Sequence, residues 1–110
     1  SQEVDLNKFA GMDCYVGVDL AATSDLTAVA YLVVLDGTYH FKTHYYLPES
    51  ALKDKADKEL YKYWKQQGYL TVTSGNVTDY DYITTDMLRY ADVVNIQSVG
   101  YDKYNATQWL

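Results

Sequence analysis

Cys14-Tyr15-Val16-Gly17-Val18-Asp19 decides the fold. It is a short apolar run bounded by polar and turn-like residues, and it reads as a central β-strand. It closes on an aspartate with a glycine two residues before it. Far along the chain the same ending returns. Ile96 to Asp102 reads as the fourth strand and closes on Gly100-Tyr101-Asp102. Side chains alternate along a strand, so Gly17 shares a face with Asp19, and Gly100 shares one with Asp102. Two glycines leave such a face open to a packed helix or to close backbone approach. In open α/β sheets, ligands gather beyond the C-terminal strand ends. If these two strands lie parallel and adjacent, at a spacing of roughly 4.8 Å, Asp19 and Asp102 can share one divalent ion. A metal held there suggests phosphoryl chemistry.

The segments between them decide whether the strands can meet. Leu20 to Asp25 is a loop of small and polar residues. Leu26 to Leu35 is dense in β-branched and aromatic residues and reads as the second strand. Asp36-Gly37 is a strong two-residue hairpin signal, so Tyr39 to Tyr46 returns antiparallel as the third strand. Glu49 or Ser50, just after Pro48, can cap a helix that runs to about Gln67 and stops at Gly68. Leu52, Ala56, Leu60, Tyr63 and Trp64 recur along it at helical spacing and predict its apolar face. Tyr69 to Thr73 is a short extended piece and Ser74-Gly75-Asn76 a turn. Thr78 with Asp81 resembles a capping box for a second helix to about Val93, which buries Ile83, Met87, Leu88 and Ala91. Tyr104 to Leu110 begins another helix. A strand that follows a helix tends to join the sheet in parallel by a right-handed crossover. The fourth strand can therefore lie beside the first.

A chain of 110 residues makes one domain with one core. It contains no apolar run long enough to cross a membrane. Ser1 to Asn7 is polar and lacks the layout of a signal peptide. Cys14 is the single cysteine, which points to a reducing compartment and a buried apolar role. The net charge is −6, and Arg89 is the only arginine. Composition alone therefore argues against a nucleic-acid binder, since phosphate contacts want clustered basic residues. Divalent cations bridging carboxylates to phosphate would remove that objection. The 13 tyrosines read as half-buried strand and helix surface with wet hydroxyls. His40 and His44, roughly 13 Å apart on one strand, cannot chelate a single ion and read as surface residues.

Three stretches carry a resemblance to a known family. Gly17-Val18-Asp19-Leu20-Ala21-Ala22-Thr23-Ser24-Asp25-Leu26-Thr27-Ala28 resembles the opening of the nuclease domain of terminase large subunits of tailed bacteriophages. Gln67 to Thr73, followed by Gly75-Asn76-Val77 and Asp79-Tyr80-Asp81, is similar to the middle of that domain. Tyr101-Asp102-Lys103-Tyr104-Asn105-Ala106-Thr107-Gln108 is similar to its next motif. Three motifs in order are more specific than any one of them, and together they span nearly all of residues 14–110.

The resemblance implies an α/β, ribonuclease H-like fold. Its mixed sheet has strands 1-2-3 antiparallel and strand 4 parallel to strand 1, with helices packed on the sheet. Residues 1–13 would be a poorly ordered lead-in, and residues 14–110 a partial nuclease domain whose last strand, final helix and third acidic ligand lie further along the family's chain. By resemblance Asp19 and Asp102 are catalytic metal ligands for Mg²⁺ or Mn²⁺. Asp25 could support them through a water or a backbone bond, or it is a loop aspartate that caps a turn. The activity implied is metal-dependent cleavage of concatemeric viral DNA during packaging, in the cytoplasm of a bacterial host. Double-stranded viral DNA, an N-terminal ATPase domain, the terminase small subunit and the portal protein are the implied partners, and no membrane is. With two of three ligands the chain alone is expected to bind metal weakly and to cut little or nothing. An uncovered fourth strand would invite edge-to-edge self-association.

Two other classes compete with this reading. An actin-like or sugar-kinase ATPase lobe also opens with an aspartate-ended strand and a phosphate loop. Here Asp19-Leu20-Ala21-Ala22-Thr23 lacks the glycine that backbone approach to phosphate usually needs. A non-enzymatic module that docks proteins on a tyrosine-rich acidic face would leave Asp19 and Asp102 without a role.

Overall fold

Strict alternation builds the centre of the sheet. The computed structural model describes residues 3–20, 25–53, 57–75 and 78–101. Strand β1 (Asp13–Asp19) buries Cys14, Val16 and Val18 and exposes the residues between them. Strand β2 (Thr27–Leu35) buries Thr27, Val29, Tyr31 and Val33 on the same face. Asp36 and Gly37, with φ of 52° and 75°, form the two-residue turn into β3 (Thr38–Pro48). Both residues occupy the left-handed region that such a hairpin turn requires.

The strand order is β4-β3-β2-β1-β5. β2 runs antiparallel to both of its neighbours, β1 and β3, and β5 (Asn95–Tyr101) runs parallel to β1 and beside it, as the crossover reading expects. Leu70–Thr73, expected only as an extended piece, is β4 and pairs in parallel with Tyr45–Pro48 of β3. Leu70 and Thr73 are buried, which is what four residues need in order to hold a sheet edge.

The helices cover opposite faces. α2 (Tyr80–Ala91) lies over the buried side chains of β1 and β2, with Ile83 fully enclosed and Met87 and Tyr90 packed around it. The ring of Tyr90 lies 4.6 Å from that of Tyr31. The cap of α2 is Asp79 rather than Thr78. Its carboxylate accepts from the Asp81 amide at 2.9 Å, a span a one-carbon acid side chain closes readily. Expected within the buried face, Leu88 and Ala91 are instead exposed.

α1 (Lys58–Gln66) packs on the other face near β3 and β4, where Trp64 stacks on Tyr45 at 5.7 Å. The long helix expected from Glu49 or Ser50 divides differently. Glu49–Leu52 is a 3-10 turn and the α-helix starts at Lys58, while Ala56 lies outside the described residues. This start turns Tyr61 and Trp64 onto the second core, formed by Leu26, Leu47, Ala51 and Leu70, and leaves Leu60 and Tyr63 exposed. Gly68, at φ 84°, ends the helix as expected.

The supposed lead-in is also different. Leu6–Phe9 forms a 3-10 turn capped by Asp5, and Leu6 and Phe9 join the main core. Phe9 packs on the His40 ring at 4.9 Å, and the Val4 amide donates to the Phe41 carbonyl at 2.9 Å. Two apolar side chains with a core to fill outweigh the polar residues around them. The helix expected from Tyr104 to Leu110 lies outside the described residues.

Candidate metal edge

The parallel pairing of β1 with β5 sets the geometry. Gly17 lies opposite Gly100 and Val18 opposite Tyr101. On the other side Gly17 faces Ala30 and Asp19 faces Ala28. Partners across a sheet share a face, so Gly17, Asp19, Ala28, Ala30 and Gly100 point to the side opposite α2. Small residues leave that face low. A hollow of about 530 Å³ opens there, lined by these five residues with Val18 and Tyr101. Among the described residues, a methyl group added at Gly17 or Gly100 would meet nothing within 4 Å.

Asp19 is exposed at the C-terminal end of β1 and lines this hollow. Asp25 is exposed just before β2, and residues 21–24 lie outside the described residues. Thr27 ties the start of β2 to the end of β1 by donating its hydroxyl to the Leu20 carbonyl at 3.3 Å. Asp102 follows the last described residue of β5 and lies outside the described residues. A carboxylate oxygen is a suitable donor for Mg²⁺ or Mn²⁺, and the hollow has room for an ion with its waters. Among the described residues no group of three His, Cys, Asp or Glu side chains could hold a metal. The fit of the described part is therefore one hard-oxygen ligand, Asp19, at an open strand end.

The opposite face is closed and carries a polar tie that the sequence did not reveal. Tyr46 is fully buried and its hydroxyl donates to Asp86 Oδ2 at 2.6 Å, while Asp86 Oδ1 accepts from Arg89. Burial, reinforced by this hydrogen bond, pushes the Tyr46 phenol far above its usual range. Burial does the same to Tyr31. His44 is half-buried, not a surface residue. Its Nε2 lies 2.7 Å from Thr71 Oγ1, and burial lowers its pKa. His40 is half-buried too, against Phe9. The Tyr46–Asp86 bond joins positions 40 residues apart, so no local motif could have announced it.

Comparison with known proteins gives one answer. A family model described as the terminase large subunit, endonuclease domain, matches residues 2–110. The large terminase subunit of Enterobacteria phage HK97 is 28% identical over 98 residues, covering 86% of this chain and 19% of that protein. Protein YmfN of Escherichia coli K12 is 29% identical over 117 residues, covering 93% of this chain and 25% of that protein. The crystal structure of the HK97 large terminase superposes with a TM-score of 0.76 at 26% identity, over 97% of this chain and 22% of that one. The chain thus spans about a fifth to a quarter of the length of these relatives.

Proposed function

Because the chain belongs to the terminase large subunit endonuclease-domain family, with a ribonuclease H-like sheet, we propose that it contributes to a metal-dependent endonuclease domain. In the parent protein this domain cuts concatemeric viral DNA during genome packaging, in the bacterial cytoplasm. The observation that supports this reading most is the parallel, in-register pairing of Gly17 with Gly100 beside Asp19. Family membership also removes the ground for an actin-like lobe or a tyrosine-rich docking module.

Asp19, on the strand flanked by both β2 and β5, and Asp102, the residue after Tyr101 in sequence, would hold the divalent metal. Asp25 would steady the site through a water or a backbone bond. The metal, when bound, would supply an activated water and stabilise the leaving oxygen in phosphodiester cleavage. The chain's own contribution is the low floor of Gly17, Ala28, Ala30 and Gly100, which admits a sugar–phosphate backbone to the strand ends. Carboxylate-held cations offset the repulsion between an acidic domain and its substrate. Double-stranded DNA is the substrate in this account. An N-terminal ATPase domain, the small subunit and the portal act with the domain in the parent.

Plasmid nicking tests the reading. A protein extended through the rest of the domain should nick supercoiled DNA with Mn²⁺, and Asp19→Asn should lower the rate by about a hundredfold or more. Full activity in the Asp19→Asn protein sinks the proposal.

A further inference from the structure

α1 carries three lysines and one glutamate, in a chain whose net charge is −6. Lys58, Lys62 and Lys65 are all exposed. Their spacing of four and then three places them along one side of the helix. Lys62 and Lys65 each follow an anchor, Tyr61 and Trp64, by one position. One position turns a helix by about 100°. The lysines therefore line a flank of α1 and not the side that faces the sheet. Glu59 stands off this line. It pairs with Lys62 at 3.8 Å, with both side chains exposed, and such a pair holds a lysine only weakly.

The flank lies on the same side of the sheet as Asp19. Asp19 pairs with Ala28, Ala28 with Tyr45, and Tyr45 with Leu70, in one row across the open face. Trp64 stacks on Tyr45 within that row. α1 leads back from the C-terminal end of β3 to the N-terminal end of β4, so it runs opposite to both strands. Lys58, six residues before Trp64, therefore stands about 9 Å further out, on the side of the row where β1, β3 and β4 end. Two strand spacings, roughly 10 Å, and a helix radius of about 5 Å separate the flank from β1. That is about four base pairs of duplex at about 3.4 Å each. We propose that Lys58, Lys62 and Lys65 hold the phosphates of duplex DNA about four base pairs from the bond cut at Asp19. The proposal rests on the endonuclease reading of that edge. It supplies positive charge beside an edge whose own contribution is a carboxylate, and phosphate contacts need clustered basic residues.

Binding of a short DNA duplex without divalent metal tests the flank apart from the metal. In fluorescence anisotropy the unaltered chain should bind at low salt, and the logarithm of its affinity should fall linearly with the logarithm of salt concentration. Lys58→Gln, Lys62→Gln and Lys65→Gln combined should lower that slope by about 2–3 and weaken binding at low salt about tenfold or more. In isotope-labelled protein the amides of α1 should shift when the duplex is added. An unchanged slope and affinity in the triple variant overturns the proposal. So does a lack of binding by the unaltered chain, or a set of shifts gathered around Lys8, Lys42 and Arg89 instead. If the triple variant does not fold, Lys62→Gln alone decides: a slope lower by about one upholds the flank, and an unchanged slope overturns it. The endonuclease reading fails separately. Full nicking by the extended Asp19→Asn protein, with the slope change intact, sinks that reading and upholds duplex binding by the flank. Lost nicking in Asp19→Asn, with an unchanged slope in the triple variant, sinks the flank alone.

Discussion

The two faces of β1 differ more than any other two regions of the molecule. Toward α2, the side chains of Cys14, Val16 and Val18 meet Ile83, Val29 and Tyr31 with almost no surface left exposed. Toward the other side, the same strand offers Tyr15, Gly17 and Asp19 to solvent, beside Ala28, Ala30 and Gly100. One strand thus holds the fold together with its even-numbered residues and leaves its odd-numbered residues open to solvent. Period-two alternation permits this division, since changes on one face need not disturb packing on the other.

Substitutions can break this contrast, and the largest effect belongs to the closed face. Ile83→Ala removes a fully buried side chain between α2 and the sheet. It should cost about 2–5 kcal/mol in urea denaturation, because close-packed neighbours refill such a cavity only in part. Next comes the polar tie. Asp86→Ala strands the buried Tyr46 hydroxyl and should cost about 1–3 kcal/mol. Tyr46→Phe leaves Asp86 with Arg89 and should cost less, about 0.5–1.5 kcal/mol by the same measurement.

Acidity probes the same face more gently. Burial lowers the pKa of His44, against an opposing pull from Asp86, with Lys42 and Arg89 also nearby. The unfolded chain takes up this proton near pH 6.5, while the folded protein resists until a lower pH. Stability should therefore be whole above about pH 6.5 and drain away as the pH falls toward the lower folded value. His44→Gln should flatten that part of the profile in thermal melts. At the alkaline end the raised phenols of Tyr31 and Tyr46 act in the opposite sense, so their contribution is lost as the pH rises past about 10. The smallest effect belongs to the open face. Gly17→Ala should change stability by no more than about 0.5 kcal/mol, since its new methyl meets nothing within 4 Å among the described residues.

Much of this was legible from local pattern. Alternation gave β1 and β2, Asp36-Gly37 gave the hairpin, and the crossover rule placed β5 beside β1 in parallel. Illegible parts depended on distant partners. Leu6 and Phe9 sit in a polar segment whose burial is decided by a core contributed from elsewhere. β4 is too short to declare itself and exists because β3 has a free edge. The face of α1 depended on where the helix begins, which is Lys58 rather than the region of Glu49 or Ser50, and the apolar spacing did not show that start. At the site, Asp19 and the two glycines could be found from the repeated Gly-x-Asp. The register shift between Cys14 and Tyr15, after which Gly17 pairs with Gly100, could not.

A crystal grown in Mn²⁺ tests the central claim most directly, through the anomalous signal of the ion. The account predicts a peak beyond the ends of β1 and β5, within about 2.5 Å of carboxylate oxygens from both Asp19 and Asp102. Carboxylates separated by more than roughly 8 Å, with no ion between them, would contradict it.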